Sequence, residues 1–476
     1  MNIARLNKHS FARRYEGIGY LFNELTSADM VLDECGAVFL SEIGRNPVNL
    51  AQAAQRIAAQ FAAADPAEVE NDLRELVVTL ERGGFVLTGD TPEEMDRKDL
   101  PFSYAAPPSG SLEATEEVHA PSSEILKKHF QAHPRLFSVQ IELTSFCNLR
   151  CIHCYLGDTH PLGGLQTDRV YSILDQLKEL GTLQVSFTGG EIFSRKDLPA
   201  ILRHARQNDF SITLLTNNTL LSDSLISEFR QTRVRLVKIS LYSMEPDIHD
   251  AITAKPGSWQ MTVGNIERLV AHDVPVQISC PVMKQNLDSF GAVMRWGEKL
   301  SVKVKPDLLL TARADLSREN LDHRLSLGEC QRAIRTIITT DDEYRMRMVR
   351  EYGTNNHRKP DDHLCGVGTS TISIGANGDL YPCPVFLLRL GNVAKASIRE
   401  VWEHSLPLQE LRTVRFSDYE KCMQCEAADY CGICMGKFYS ESGGDRFATS
   451  AFFCGVAGLT KKAVAQSIAH AAVGER

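Results

Sequence analysis

No stretch of the 476 residues approaches the ~18 apolar residues that a membrane-spanning helix needs. The first segment, MNIARLNKHSFARRYEG, has no apolar stretch behind its basic residues, so no secretory signal is expected and a cytoplasmic location is. Charge of one sign is missing too. Lys and Arg number 52 against 60 Asp and Glu, and both signs are mixed along the chain. That leaves no electrostatic footprint for nucleic acid or an anionic membrane, and neither is expected as a partner. The 13 cysteines are too few for a disulfide-dense secreted scaffold of this length. What is present is an ordinary globular composition, 43% hydrophobic and 24% charged, in a chain long enough for about three domains of ~100–200 residues.

The cysteines are unevenly placed. Three fall within 147–154 and seven within 365–454. Without an export signal, such clusters point to thiolate ligands in a reducing compartment.

Residues 1–88 read as a small winged-helix-like α+β domain, with strands expected over 17–23 and 28–32 and a helix over 34–43. Asn49 and Gln52 form a capping-box pattern ahead of Leu50, Ala54, Ile57, Ala58 and Phe61. Asp65, Pro66 and Glu68 start a further helix carrying Val69, Leu73, Leu76, Val77 and Leu80. Gly83 and Gly84 stop it, and a closing strand is expected over 85–87. Residues 89–135 are expected to be a flexible linker. Over 89–121, eight acidic residues stand against two basic ones, and Pro101, Pro107, Pro108 and Pro121 break any period. No hidden element is expected there.

From 136 to 325 strand and helix alternate. Strands are expected over 138–143, 184–188, 211–216, 236–241, 276–282 and 303–310, with helices such as 167–180, 222–230, 259–271 and 287–300 between them. Six such units predict an α/β fold built as a partial (β/α)6 TIM-like barrel, with its active site at the C-terminal strand ends. Residues 326–476 begin with a helix over 328–340. The cysteine-rich region that follows is too thin in aliphatic residues to stand easily alone, so metal cross-links would help fold it.

Cys147, Cys151 and Cys154, at x3 and x2 spacing, directly follow the first barrel strand. Three is the informative count. A closed structural zinc site wants four ligands, and an ordinary iron–sulfur cube takes four cysteines. Three thiolates leave one iron open to a substrate or cofactor. Zinc with His153 as the fourth ligand, or three unrelated thiols, are the other readings. Thr188-Gly189-Gly190-Glu191 ends the second strand, where two glycines allow close backbone approach and Glu191 can accept from an ammonium group. Ser240 ends the fourth, where a hydroxyl can reach a ribose.

Cys-x3-Cys-x2-Cys followed by Tyr155, then Gly-Gly-Glu and the strand-four serine, resembles the radical S-adenosylmethionine (SAM) enzymes over roughly 136–315. The resemblance implies a [4Fe-4S] cluster on Cys147, Cys151 and Cys154, whose open iron chelates S-adenosylmethionine. Gly189, Gly190 and Glu191 would hold the methionyl amine and Ser240 the ribose. One electron would then release a 5′-deoxyadenosyl radical, with a donor such as flavodoxin or ferredoxin supplying it. No side chain is named as catalytic acid or base. Arg313, after the sixth strand, could meet a carboxylate or form a solvated salt bridge.

Cys365-x12-Gly378-x4-Cys383, Cys422-x2-Cys425-x5-Cys431-x2-Cys434 and Cys454 resemble the SPASM extension of peptide and protein maturases. That pattern implies two auxiliary clusters, one on Cys422, Cys425, Cys431 and Cys454 and another on Cys365, Cys383 and Cys434. The last pair is spaced x2 where the family usually has x3. The second cluster also lacks an upstream cysteine, leaving an open iron or a ligand borrowed from His363, Asp362 or a substrate thiolate. Two zinc sites are the rival reading. In the related sulfatase maturases an aspartate base follows the Tyr-Pro-Cys cysteine. Here Pro384 follows Cys383, which disfavours formylglycine chemistry. Cys35, Cys280 and Cys330 are expected to be buried small hydrophobes, with Cys280 able to point into the barrel.

Residues 1–88 then resemble the small peptide chaperone of pyrroloquinoline quinone biosynthesis, on the stretch 27–39, the Asn49 helix and the 65–84 helix. Such domains recognise ribosomal precursor peptides, binding the leader as an added strand with residues 28–32 as the edge. A DNA-binding winged helix is the alternative, though no basic recognition helix is present. Together these features imply hydrogen abstraction from a ribosomal precursor peptide and a thioether or carbon–carbon cross-link. Epimerisation, decarboxylation, sulfatase-type maturation and a non-catalytic metal-stabilised scaffold are the alternatives.

Overall fold

A computed structural model describes residues 2–62, 64–99, 121–156, 163–313, 315–346 and 358–474. Strand β1 (Ile3–Leu6) is the centre of a three-stranded antiparallel sheet, between β5 (Val48–Asn49) and β6 (Val86–Gly89). A second sheet runs β2 (Ser10–Tyr15), β3 (Ile18–Asn23), β4 (Asp29–Leu32). Strands β1 and β2 were not apparent in the sequence, because basic and apolar residues mix there without clean alternation. The helices Glu34–Leu40, Leu50–Ala58 and Pro66–Arg82 complete this domain. Asp33, Asn49 and Asp65 cap them through side-chain oxygens on main-chain N–H groups.

The expectation of a flexible linker over 89–135 is corrected at two places; residues 100–120 lie outside the described residues. Helix Pro92–Lys98 is capped by Thr91 and buries Met95 completely. Its Thr-Pro-x-Glu start repeats the cap chemistry of the Asp65 helix, and composition masked it. Helix Ser122–Ala132 is amphipathic, with Leu126 and Phe130 buried one turn apart.

The period-two alternation of the β2–β3–β4 sheet explains what Ser122–Ala132 does. Ala12, Leu21, Met30 and Leu32 pack toward the domain's own helices. Phe11, Tyr15, Tyr20 and Phe22 face the other way, against Leu126, Phe130, Phe137 and Leu183. Ion pairs frame this apolar contact. Asp209 accepts from Arg13 at 3.2 Å and Arg45 at 2.7 Å, while Arg206 lies 3.4 Å from Glu24 and over the Phe11 ring at 4.8 Å. The recognition-type sheet is therefore clamped to the barrel on one face, while among the described residues β4 pairs with β3 alone and keeps its other edge open.

The barrel strands run parallel in chain order. They are β7 (Ser138–Thr144), β8 (Gln184–Gly189), β9 (Ser211–Thr216), β10 (Leu236–Ser240), β11 (Val276–Pro281) and β12 (Lys303–Asp307). Val139, Ile141, Val185, Phe187, Ile212, Leu214, Val237 and Ile239 bury against the surrounding helices. The alternate positions, among them Glu142, Thr188 and Ser240, face the barrel interior. Pro306 is tolerated because β12 is an edge strand. At the other edge the sheet does not stop at β7. From the cysteine-rich region, β13 (Thr371–Ile374) adds parallel to β7, followed by β14 (Asp379–Tyr381) and β15 (Gly391–Asn392), giving nine strands. Pairing removes an open edge and ties the third region to the first barrel strand. Among the described residues no helix is long and apolar enough to cross a membrane.

Burial pushes the Asp209 carboxyl up, but Arg45 and Arg13 outweigh it and hold the group below the ordinary range. A depressed carboxyl contributes stability above its unfolded pKa of about 3.9 and loses it as pH falls through the lower folded value. Asp209→Ala should cost about 1–3 kcal/mol and speed amide exchange in β2 and β3 at pH 7. Wild-type exchange there should rise only below about pH 4. Unchanged exchange in the variant would show that the apolar contact alone holds the domain.

Candidate active site

The C-terminal strand ends surround a cavity of about 950 Å³ whose lining includes Cys147, Cys151, Cys154, Tyr155, Gly189, Gly190, Asn217, Ser240, Tyr242, Leu309 and Arg313. Its wall begins where β8 ends. A Cβ on Gly189 would lie 2.2 Å from the Thr144 carbonyl oxygen, and one on Gly190 2.2 Å from that of Phe146. The Gly190 and Glu191 N–H groups donate to those same two oxygens at 2.8 and 2.7 Å. The glycines thus admit not only a ligand but the start of the cysteine loop itself.

Glu191 corrects an expectation. Its carboxylate does not line the cavity; it is fully buried, accepting from Phe193 N at 2.8 Å, Thr216 Oγ1 at 2.7 Å and Asn217 N at 2.7 Å. Burial pushes this carboxyl up against the pull of those donors. Its effect on the site passes through Asn217, whose Nδ2 donates to Cys147 Sγ at 3.7 Å and Asn148 Oδ1 at 3.0 Å. Ser240 and Tyr242 both line the cavity. The Tyr242 hydroxyl donates to Cys151 Sγ at 4.0 Å. Tyr155 hydrogen-bonds the buried Glu142 of β7. The sequence reading missed Asn217, Tyr242 and Glu142. The signal for Glu142 was the alternation Gln140, Glu142, Thr144 along a strand otherwise apolar.

The structure brings the cysteines into three groups. Burial and then repulsion from Cys154 and Cys147 push Cys151 up to about 12. Burial, Cys434 and Cys365 raise Cys383 to about 12. Burial, Cys454, Cys422 and Cys425 raise Cys431 to about 11. Desolvated, mutually repelling thiols ionise readily only around a cationic core, so each group fits an iron–sulfur cluster. Among the described residues no three Cys, His, Asp or Glu side chains converge on a single-ion site. His153 stacks edge-on against Tyr242 at 4.9 Å, and burial lowers its pKa to about 4. The expected lenders to the three-thiol auxiliary set have other partners: Asp362 accepts from Lys359 N at 2.9 Å, and His363 Nδ1 sits 3.4 Å from Arg415. Cys330 is buried as expected, but Cys35 is exposed on the first turn of its helix. Cys280 is buried among the helix-facing residues rather than in the cavity, because β11 turns its even positions outward. Arg313 lines the cavity 3.5 Å from the exposed Glu319.

Residues 141–297 match the radical SAM superfamily, 365–426 the iron–sulfur cluster-binding (SPASM) domain, and 21–86 coenzyme PQQ synthesis protein D. The chain carries a radical SAM domain and a SPASM domain. Its cofactors are a [4Fe-4S] cluster with S-adenosylmethionine and auxiliary iron–sulfur clusters. Among relatives, the AdoMet-dependent heme synthase of Methanosarcina barkeri is 27% identical, the match covering 65% of this enzyme and 93% of that protein. The antilisterial bacteriocin subtilosin biosynthesis protein AlbA of Bacillus subtilis is also 27% identical, over 64% and 68%. The crystal structure of Streptococcus suis SuiB bound to precursor peptide SuiA shares the fold with a TM-score of 0.65 at 15% identity, covering 94% of this enzyme and 99% of that chain.

Gly190→Ala should displace the cysteine loop and reduce iron uptake at the first site. Glu191→Ala should leave three buried donors unpaired and cost on the order of 3 kcal/mol or more in urea unfolding. A loss under about 1 kcal/mol would place the carboxylate outside the framework described.

Proposed function

We propose that this enzyme modifies a ribosomally made precursor peptide, holding its leader on the open β4 edge and taking a hydrogen from a core residue in the 950 Å³ cavity. The observation that carries this is one chain joining an open-edged recognition sheet to a three-thiol cavity, and the names of AlbA and SuiB support it. Cys147, Cys151 and Cys154 would hold the radical-generating cluster. Cys422, Cys425, Cys431 and Cys454 would hold one auxiliary cluster, and Cys365, Cys383 and Cys434 another. Bound there, the cluster and S-adenosylmethionine supply a one-electron cleavage that yields a hydrogen-abstracting 5′-deoxyadenosyl radical.

The residues do the rest. Gly189 and Gly190 present main chain to the methionyl end, and Ser240 a hydroxyl to the ribose. Asn217 and Tyr242 orient two of the three thiols. Leu309 forms cavity wall and also packs on the buried cluster of the auxiliary region, on which Cys383 packs as well. The finer reading is a thioether or carbon–carbon cross-link. It removes two hydrogens from the peptide. One would leave as an atom and appear in 5′-deoxyadenosine, the other as a proton with one electron, for which a cluster held by the auxiliary thiols would be the acceptor. A flavodoxin- or ferredoxin-like donor would supply the initiating electron.

Co-expression with the neighbouring small open reading frame and mass spectrometry test this. Cross-linking lowers the peptide mass by two hydrogens per bond, epimerisation leaves it unchanged and decarboxylation removes carbon dioxide. Cys147→Ala should abolish 5′-deoxyadenosine. Cys383→Ala should still release it but leave the peptide unmodified. Formation by the Cys147 variant at the wild-type rate would end the proposal.

The recognition sheet packs at the N-terminal strand ends and the cavity opens at the C-terminal ends. Between them lies strand β8, Gln184–Gly189. At ~3.3 Å per residue, a leader-bound peptide needs at least about six extended residues to pass. Precursors with a shorter spacer should lose modification but retain leader affinity. Full modification with a two-residue spacer would refute this path.

A further inference from the structure

Among the described residues that line the cavity, the charged side chains other than thiols are Arg150, Asp307 and Arg313. Two of them are committed to main chain. Arg150 Nη1 donates to the Cys147 and Leu149 carbonyl oxygens at 2.9 and 3.0 Å, and Asp307 Oδ1 accepts from Leu309 N at 2.8 Å. Arg313 makes no such bond. Its Nη1 lies 3.5 Å from Glu319 Oε2, at the limit of a hydrogen bond, and its Nε is buried with no partner. The Glu319 side chain is 70% exposed against 20% for Arg313, so water competes for that contact. A buried donor without an acceptor costs about 1–3 kcal/mol, a deficit that an incoming acceptor removes.

The auxiliary region holds this arginine in place. Thr311 O accepts from the buried Asn320 Nδ2 at 2.8 Å, and Ala312 N donates to Glu441 Oε1 at 3.3 Å. Glu441, on the helix Met435–Ser442, is buried and accepts from Arg324 Nη1 on both oxygens, at 2.8 and 2.9 Å. Arg313 N donates to Ser317 O and Arg313 O accepts from Leu316 N, each at 2.9 Å. The guanidinium therefore extends from a fixed main chain. The loop leaves β12, which lies four strands from β8 in sheet order, and the β8 glycines are assigned to the methionyl end. The cation thus belongs to the other side of the cavity, where a substrate would lie. A guanidinium fork matches a carboxylate, and the anions a peptide offers are its Asp and Glu side chains and its C-terminus. We propose that Arg313 binds one carboxylate of the core peptide and so sets which residue meets the radical. This rests on the reading of the substrate as a precursor peptide.

The test uses the full-length holoenzyme with the precursor from the neighbouring small open reading frame. The same precursor is also made with each core Asp or Glu changed to Asn or Gln, and with an amidated C-terminus. No mass change of the precursor with the wild-type enzyme would end the peptide reading and the anchor with it. Modification without any effect of Arg313 would end the anchor alone. Arg313→Gln should lower kcat/KM for the precursor by about tenfold or more and leave peptide-free 5′-deoxyadenosine formation unchanged. Arg313→Lys should recover part of that loss, because an ammonium keeps the charge but not the fork. Neutralising one carboxylate of the precursor should cost the wild-type enzyme as much as Arg313→Gln does, and cost the Arg313→Gln variant nothing further. The Asn and Gln series finds a side-chain carboxylate, the amide a terminal one. Glu319→Gln frees the guanidinium and should keep or raise kcat/KM. The proposal is overturned if no single carboxylate shows that coupling, or if Glu319→Gln copies the loss, which would make the pair a structural brace. A raised KM for S-adenosylmethionine in Arg313→Gln also overturns it, since the methionyl carboxylate would then be the partner.

Discussion

The site depends on one crossing of main chain. The end of β8 passes so close to residues 144–146 that a Cβ at Gly189 or Gly190 would sit 2.2 Å from a carbonyl oxygen. Two N–H groups from the Gly-Gly-Glu turn then bond those same oxygens. This fixes where the cysteine loop leaves the barrel, and so where Cys147 stands. Glu191 extends the constraint sideways, because its buried carboxylate ties β8 to the Thr216–Asn217 corner of β9. Asn217 carries it back to Cys147. Three strand ends and one thiol are thereby closed into a ring of hydrogen bonds. Bonds to a buried charge contribute about 1.5–3 kcal/mol each, more than neutral ones, so the ring is stiff where ligand geometry has to be held.

The opposite end of the barrel carries a different kind of constraint. There the β2–β3–β4 sheet presents one face to its own helices and the other to Phe137, Leu183 and the helix Ser122–Ala132. A sheet sandwiched this way has only its edges left for a partner, and strand addition is the mode that uses an edge. The segment that follows the helix pairs with the third region as well, since Arg135 N donates to Thr369 O and Phe137 N to Ser370 O. Recognition sheet, barrel and auxiliary region therefore meet along residues 122–138. They act as one frame around a single cavity rather than as three tethered modules.

What was legible in the sequence was what short range dictates. The cysteine spacings, the Gly-Gly-Glu turn, the strand and helix periods and the caps at Asn49 and Asp65 are each set within a few residues, and the structure carries them. What was not legible depends on which face of an element meets which neighbour. Glu191 has the composition of a ligand, yet the fold turns it onto the β9 corner. Cys280 faces the helices because β11 registers with β10 so that Ile278 and Cys280 share the buried side. Helix Pro92–Lys98 was hidden by an acidic, proline-rich context, although its Thr91–Pro92–Glu94 start was visible. Strand β13 joins β7 from more than two hundred residues away, and no local pattern announces such a pairing.

The missing eighth auxiliary cysteine takes on a different meaning once these contacts are known. A ligand short by accident of sequence would be replaced by the nearest histidine or carboxylate. His363 and Asp362 are close in sequence to Cys365, but one is set against Arg415 and the other closes the turn at Lys359. Each of these two side chains thus already holds one contact, through Asp362 Oδ2 and His363 Nδ1. Meanwhile Leu309 lines the cavity and packs on the same buried cluster as Cys383. An incompletely ligated group belongs where a substrate can approach, and a fully ligated group where an electron only passes. Exposure does not rank the two groups, since Cys365 is exposed alongside Cys425 and Cys454 while Cys422 is buried.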